Sequence, residues 1–551
     1  MKYFRVLLVF PAISVSAHGQ SIPGAGSQLQ QLPPAINQPR SLPDIRIDRP
    51  DAAPIAVDAG PGITVNALQI TGANAFATDT LVAASGFKPG NSMNLGDLRT
   101  LAARITEYYS SRGYFVAQAY LPAQDVTSGT LTIAVLEGRY GEIALNNSSR
   151  LADGVARSIM RGLAPGDIVA GKPLERRLLL LSDIPGITVG STLAPGSAVG
   201  TADLRVDIAP GDTISGVAEV DNGGNRYTGE WRGGGTVFLN NLAGRGDQLS
   251  LRVLASTQSL IYGRVAWQAP VGAATVGVAY SHIGYELGRE FASLDASGTA
   301  DIVSLFATYP LLRSRRHNVR ALLGADAKWF TDRALAVGTE SERTTRVLTA
   351  GLAGDHRHAS GFSTWSVSGS YGNLALNTPA DRAFDAITAR AEGGYGVFRA
   401  AASHDQIISG GLSIYGAARG QLASKNLDAS EKMQLGGAFG VRAYPEGEAF
   451  GDEGYIATAE LRQLLPERFA GLPGRVQLFG FVDTGSIRLA KDPWFQGTST
   501  LNRSGYGAGA SWSLPGNFTA RATYARKLGT GPATSAPDRS GRFWVQLAKF
   551  F

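Results

Sequence analysis

Two side chains about forty positions apart carry the most pointed chemistry in this sequence. Arg442 lies in Val441-Arg442-Ala443-Tyr444, inside a glycine-rich stretch, Leu435 to Tyr455, with neither helical nor strand periodicity. A loop of that length in an ordered region is usually functional or disordered, and an arginine in an aliphatic and aromatic setting argues against disorder. Asp483 lies in Phe479-Gly480-Phe481-Val482-Asp483-Thr484-Gly485, a strand-like run with a lone carboxylate among apolar neighbours. Such a carboxylate needs water or a cation, and the Arg442 fork can hold it at two points. This is the chemistry of anchoring rather than of turnover.

Other reactive patterns are weaker. Gly166-Asp-Ile-Val-Ala-Gly171-Lys172 imitates a phosphate-binding loop, but Pro173 replaces the required Ser or Thr and no buried parallel strand leads in. His356 and His358 share a strand face without a visible third ligand, and Asp355 to Ser360 reads as a polar turn. No Gly-x-Ser-x-Gly elbow, zinc-protease helix or calcium loop occurs. The absence of cysteine removes thiol nucleophiles, thiolate metal sites and disulfides. Arg313, Arg315 and Arg316 read as a solvated or phospholipid-facing turn. The net charge of +6 on 551 residues is modest, with no basic stripe for nucleic acid. Neither catalysis, metal nor cofactor is expected.

The elements around the pair are strands. From Thr213 onward, helical periodicity gives way to alternation: Leu249, Leu251, Val253 and Ala255 oppose Gln248, Ser250 and Arg252. Val319, Ala321, Leu323, Ala325, Ala327 and Trp329 oppose Asn318, Arg320, Gly324, Asp326 and Lys328. One apolar and one polar face is what a lipid-facing barrel with a wet lumen requires. About 16 strands fit between Thr213 and Phe551. Long gaps follow the odd-numbered strands from the fifth onward (Leu287–Gly298, Thr331–Arg343, Asn377–Arg390, Gly440–Gly454, Arg488–Arg503, Leu528–Ser540), and mostly short ones follow the even. An even strand number with alternating long and short connections predicts an outer-membrane barrel with both ends in the periplasm. The Arg442 loop falls after strand 11, as the sixth outer loop, and Asp483 on strand 13. The chain ends on alternating Phe543, Val545, Leu547, Lys549 and Phe551.

Ahead of the barrel, Met1 to Ala17 reads as a signal peptide, with Lys2 and Arg5 before an apolar core and a Val15-Ser16-Ala17 cleavage site. No later apolar run is long enough for a transmembrane helix. Residues 18–57 are a proline-rich linker, in which Ser27 to Leu32 is too short for a stable helix by itself, so no full plug is expected. Residues 58–138 read as β-α-α-β-β, with Asn94 capping the second helix and Gly113 ending it before a strand from Tyr114 to Leu121. Residues 139–210 repeat the unit more loosely, and 211–551 form the barrel with its long loop at 435–455.

Here the sequence resembles the outer-membrane transporters of bacterial two-partner secretion, the TpsB or hemolysin secretion/activation family. Their sixth loop folds back into the barrel on a Val-Arg-Gly-Tyr/Phe tip, whose Arg pairs with an Asp in a Phe-x-Asp-x-Gly-type strand. Val441, Arg442 and Tyr444 match the tip; Phe481, Asp483 and Gly485, with Phe479 ahead of them, match the strand; Ala443 departs from the family's Gly. The first α+β unit resembles a polypeptide-transport-associated (POTRA) domain in Tyr108-Tyr109-Ser110-Ser111-Arg112-Gly113-Tyr114, Leu121-Pro122-Ala123-Gln124-Asp125-Val126 and Leu136-Glu137-Gly138. Barrel stretches such as Asp221-Asn222-Gly223, Asn240-Asn241-Leu242 and Tyr309-Pro310-Leu311 extend the resemblance from about Gly62 to Phe551.

The resemblance implies a mainly β protein: a 16-stranded antiparallel transmembrane β-barrel preceded by two periplasmic α+β POTRA domains. It implies an outer-membrane pore passing an unfolded secreted partner (TpsA-like, adhesin or hemolysin) to the surface without ATP. Membrane lipid, lipopolysaccharide and the barrel-assembly machinery are the other expected partners, with Phe551 as the assembly signal. The expected client contact is the edge strand carrying Tyr114, Val116, Gln118 and Tyr120. An assembly insertase of the same superfamily is the alternative, though its members usually carry more POTRA repeats. A barrel-anchored surface enzyme would need a further domain, and none remains unassigned.

Overall fold

The computed structural model describes residues 23–36, 43–47, 61–466 and 473–551. The expected signal peptide and most of the linker lie outside the described residues.

Sixteen strands close into one antiparallel barrel. They are β1 Ile214–Asp221, β2 Arg232–Asn240, β3 Gln248–Ser256, β4 Ile261–Val271, β5 Ala274–Glu286, β6 Ala296–Arg313, β7 His317–Ala334 and β8 Thr339–His358. The circle continues with β9 Gly361–Leu376, β10 Gly393–Ser409, β11 Leu412–Ala423, β12 Glu453–Leu464, β13 Arg475–Arg488, β14 Thr500–Leu514, β15 Phe518–Lys527 and β16 Gly541–Phe550. Val217–Asp221 of β1 pair with Phe550–Gln546 of β16, and Phe551 extends the seam, its N–H donating to Gly216 at 3.1 Å and its carbonyl accepting from Gly216 at 2.7 Å. Closure leaves no sheet edge in the hydrocarbon, as a membrane-spanning sheet requires. Outward positions such as Leu305, Leu323, Leu348, Tyr371, Leu478 and Val482 are exposed apolar side chains, while their alternate neighbours turn inward.

The expected strand order holds, with two differences in the outer loops. β7 and β8 run on to Ala334 and from Thr339, so most of the expected gap 331–343 is strand rising above the membrane. The expected loop after β9 contains a helix, Pro379–Ile387, whose first N–H groups are capped by Thr378 (Asp381 N to Thr378 Oγ1, 3.1 Å). Pro379 at the first helical turn and the Thr-Pro-x-Asp order were a readable start signal.

The first periplasmic unit packs helices α2 (Thr78–Ser85) and α3 (Leu95–Ser111) on a three-stranded sheet of Ala67–Thr71, Thr130–Leu136 and Gln118–Tyr120. α1 is the short helix Ala25–Gln30 in the barrel, described below. Asn94 and Asp97 form a reciprocal capping box at 2.9 Å each way. The stripe Leu98, Leu101, Ala102, Ile105 and Tyr109 is buried, whereas Leu95 is exposed. Buried Glu137 accepts from the N–H groups of Asn74 and Ala75 (2.6 Å each) and from the Tyr109 hydroxyl (2.9 Å).

The strand expected from Tyr114 shrinks to Gln118–Tyr120. Tyr114 joins an edge-on ring cluster with Phe76 and Tyr109, and Val116 packs against the second unit's core. Neither lies on the exposed edge; Gln118 and Tyr120 do point outward there. The Ala119 N–H on that edge is already taken by Thr106 Oγ1 of α3 at 2.9 Å.

The second unit carries α4 (Asp153–Met160) and α5 (Gly171–Ser182) on a sheet whose order is Asp44–Ile47, Ile187–Pro195, Thr201–Pro210, Arg139–Asn147. A strand of the linker therefore pairs, in parallel, with an edge of this sheet, Asp44 opposite Gly190 through Ile47 opposite Leu193. The unit docks on a periplasmic turn: Arg313 grips Asp183 with two bonds of 2.7 and 2.8 Å, and the Arg315 N–H donates to Glu175 at 3.0 Å. The basic turn expected to be solvated is thus in part an interdomain joint.

Candidate functional site: the sixth loop and the short helix inside the lumen

The loop between β11 and β12 turns into the barrel. Glycine makes its tight path possible: a Cβ on Gly440 would lie 2.4 Å from the carbonyl oxygens of Leu435 and Gly436. Val441 N–H donates to Leu435 O at 2.9 Å and Tyr444 N–H to Val441 O at 3.0 Å, so the tip is a compact turn. Val441, Ala443 and Tyr444 are buried with Leu435, Ile456, Phe479, Phe481 and Ile487.

Arg442 reaches the inner wall of β12 and β13. Its Nε and Nη2 donate to the two Asp483 oxygens at 2.8 and 2.7 Å, and its own N–H donates to Asp483 Oδ2 at 3.1 Å. Nη1 donates to Glu460 at 2.7 Å and Nη2 also to Thr458 Oγ1 at 2.9 Å. The guanidinium stacks 3.4 Å from the Phe481 ring centroid, and the Arg442 carbonyl accepts from Trp544 Nε1 at 2.7 Å. Every donor on the fork but one N–H has a named partner, which a buried cation needs and a Lys could not match. Phe479 plays the same part for Arg521, whose guanidinium lies 4.0 Å over its ring. Gly485 leaves room for Leu435, which a Cβ there would meet at 2.7 Å.

Ala443, where the family pattern has glycine, is fully buried. Its methyl is housed by Gly505 of β14: a Cβ added to Gly505 would lie 2.4 Å from it. The extra methyl on the loop is matched by a missing one on the wall.

The structure adds partners that the sequence left unpaired. Glu460 binds Arg442, Arg462 (2.7 Å) and Arg521 (3.1 Å), and Arg462 continues to Asp405 at 2.7 Å. A second anchor joins loop residue Glu448 to Arg503 of β14 at 2.8 Å, under the Tyr444 ring. The only sequence signal for these groups was a charged residue at an inward position of an alternating strand.

No full plug was expected, and the helix that does form in the lumen is short. α1 stands inside the barrel against β5, β6 and β7. Its first N–H, of Ala25, donates to Asp332 at 2.8 Å; Gln31 accepts from Asn225 at 2.7 Å, and the Gln31 carbonyl from Arg232 at 2.7 Å. A Cβ on Gly26 would lie 2.7 Å from the Ser430 backbone, so α1 also packs against the start of the loop. Six residues do not hold a helix in water; these walls do.

The lumen holds a cavity of about 710 Å³ lined by Arg442, Arg462, Arg521, Arg320 and Asp355, among others. A second, of about 430 Å³, lies at the joint with the second periplasmic unit and shares Arg320, Ala353 and Asp355 with the first. The two cavities are thus neighbours, one beside the second periplasmic unit and the other beside the loop tip.

Comparison with known proteins agrees with this architecture. The POTRA domain of ShlB type matches residues 63–138. The heme/hemopexin transporter protein HuxB of Haemophilus influenzae is 30% identical over 470 residues, covering 84% of this chain and 82% of that one. The solved structure of CdiB from Escherichia coli superposes with a TM-score of 0.71 at 21% identity, over 91% of this chain and 94% of that one. BamA from Haemophilus ducreyi lacking POTRA domains 1–3 shares the fold at a TM-score of 0.54 and 14% identity, over 89% of this chain and 100% of that one. The description "Haemolysin secretion/activation protein ShlB/FhaC/HecB" matches residues 200–512, and the chain belongs to that family of outer-membrane transporters.

Proposed function

We propose that the lumen is the route by which an unfolded secreted polypeptide crosses the outer membrane, and that α1 and the sixth loop are its removable contents. The observation that carries this is how α1 is held, by polar bonds to the wall beside the few apolar contacts of Ala25, Leu29 and Leu32. A barrel of this strand number leaves an aqueous channel unless its own chain fills it. Here the filling is a six-residue helix attached through Asp332, Asn225 and Arg232, contacts that water can replace. The two neighbouring cavities mark the path by which an extended chain would enter from the periplasmic side.

The periplasmic units capture the client. The second unit's edge already accepts a strand of the linker, so it is competent for β-augmentation. On the first unit, Gln118 and Tyr120 project beside α3 and offer side-chain contacts, while Thr106 satisfies the Ala119 edge donor. No nucleotide is needed: folding of the client outside the cell supplies the drive. The lumenal helix favours conduction over the insertase alternative, because an insertase acting at its seam has no use for a plugged route.

The test is a lock. The chain has no cysteine, so Gln28→Cys with Thr228→Cys, a pair whose side-chain oxygens lie 3.2 Å apart, places the only two thiols across the helix–wall contact. Export should stop under oxidation and return with reductant. Undiminished export through the oxidised, cross-linked barrel would refute the lumenal route. Separately, deleting Ile63 to Gly138 should leave a heat-modifiable barrel that neither binds nor exports its client; undiminished export would refute capture by the first unit.

A further inference from the structure

Four of the protein's six histidines meet in one patch on the outside of the barrel. His317 opens β7, His356 and His358 end β8, and His404 lies near the end of β10. The register sets His317 opposite His356, His356 opposite Ser363, and Ser363 opposite His404, one row across four adjacent strands. Arg320, Asp355, Thr364 and Ser403 line the lumen on those same strands. Alternation therefore turns the row to the membrane, on the face that carries Leu323, Leu348, Trp365 and Phe398.

The row sits at the periplasmic end. It adjoins the Ala359–Ser360 turn and the Arg313–Arg316 turn that grips the second periplasmic unit. Trp365, two positions further into the membrane than Ser363, leans over Gly354, where a Cβ would lie 2.7 Å from the indole. An outward Trp marks the level of the lipid headgroups.

The hydrogen bonds define the protons. The Nδ1 atoms of His317 and His356 face each other at 2.6 Å, so one donates and the other accepts. Gln406 donates to the carbonyls of Ser360 and Ile407, which turns its Oε1 to His404 Nε2 at 3.3 Å; that nitrogen carries hydrogen. Ser363 Oγ lies 2.8 Å from His404 Nδ1, and the His358 ring stacks between those of His356 and His404, 5.4 Å from each. The nearby charges are engaged elsewhere. Asp355 bonds Asn318, Asp405 bonds Arg462, Glu175 and Asp183 bond the Arg315 and Arg313 turn, and Arg357 covers the Phe362 ring. Among the described residues no carboxylate answers the row on the outer face.

We propose that this row is a docking site for the phosphate of an anionic phospholipid in the periplasmic leaflet, occupied when the imidazoles are protonated. Protonating both His317 and His356 aims two Nδ1–H groups at each other. Their repulsion turns the rings apart, and a phosphate oxygen entering the widened gap accepts from both, so proton and lipid binding strengthen one another. The negative potential of an anionic leaflet concentrates protons at this level.

The experiment uses the full chain in phosphatidylcholine vesicles containing roughly a fifth phosphatidylglycerol, with spin-labelled phosphatidylglycerol or phosphatidylcholine as probe, at about pH 5.5 and about pH 7.5. The preference for the labelled anionic lipid should rise roughly threefold at the lower pH. The rise should vanish in His317→Gln/His356→Gln/His404→Gln, fall in the single variant His404→Gln, and persist in His282→Gln, whose ring faces Asp301 elsewhere on the barrel. An equal rise in the triple variant, an undiminished rise in the single one, or no rise in the wild type overturns the proposal. So does erasure of the preference by inorganic phosphate, which would make the site one for free anion, or by a chelator, which would make it a metal site.

Discussion

Replacing Arg442 with Ala should unseat the sixth loop without dismantling the barrel. The Asp483 side chain is 1% exposed and that of Arg442 8%, so the pair is buried by any measure. Arg442→Ala leaves Asp483 with Thr458 Oγ1 and one backbone N–H, and leaves Glu460 with Arg462 and Arg521. Breaking one side of a buried pair costs about 3–5 kcal/mol. Because Thr458 and the arginines remain, the lower end applies, about a hundredfold in the seated-to-unseated ratio. Asp483→Ala should cost less, since the guanidinium keeps Glu460 and Thr458. The double variant should be little worse than Arg442→Ala alone, because the interaction is lost only once. Barrel closure rests on the strand ladder and survives all three. The assay is thiol labelling of Ala443→Cys, a fully buried position in a chain with no other cysteine, alongside secretion and heat-modifiability. Seated loops protect the thiol. Unchanged labelling in Arg442→Ala, or losses that multiply in the double variant, would refute the reasoning.

Gly505→Ala should displace the loop by overpacking against Ala443, at about 1–3 kcal/mol, and Ala443→Gly should restore secretion; failure of that rescue would mean the two positions are not in contact. In the first periplasmic unit, burial pushes the Glu137 carboxyl up, but the Ala75 and Asn74 N–H groups and the Tyr109 hydroxyl outweigh it and hold it below its usual range. The folded form is therefore stabilised above the ordinary carboxylate pKa, and that stability is lost as pH falls through the lowered one. Hydrogen exchange over residues 63–138 of the full chain should show the loss on acidification; Tyr109→Phe should cost about 1.5–3 kcal/mol and move its onset to higher pH. Epitope tags at Gly338, Asn377 or Pro493 should be detected on intact cells and a tag at Gly272 should not, and surface labelling at Gly272 would overturn the strand order.

Local pattern carried the architecture. Strand faces follow a period of two, so Val319 to Trp329 declared a lipid face and a lumen before any pairing was known. Loop lengths then numbered the strands and placed Arg442 after the eleventh and Asp483 on the thirteenth, as found. Asn94 announced its helix through side-chain chemistry confined to a few residues. Each of these signals lies within one element, where sequence spacing and spatial spacing are the same thing.

Tertiary structure alone decided what depends on walls. α1 exists because Asp332, Asn225 and Arg232, on two strands and the β1–β2 connection remote in sequence, satisfy it, and no propensity in six residues could show that. Tyr114 and Val116 left the expected strand because Phe76 and the neighbouring unit's core offered better burial. Ala443 could replace glycine because Gly505, on another strand, had room for its methyl. His317 and His404 came to His356 and His358 through register, which follows from how strands pair across the whole barrel rather than from any one of them.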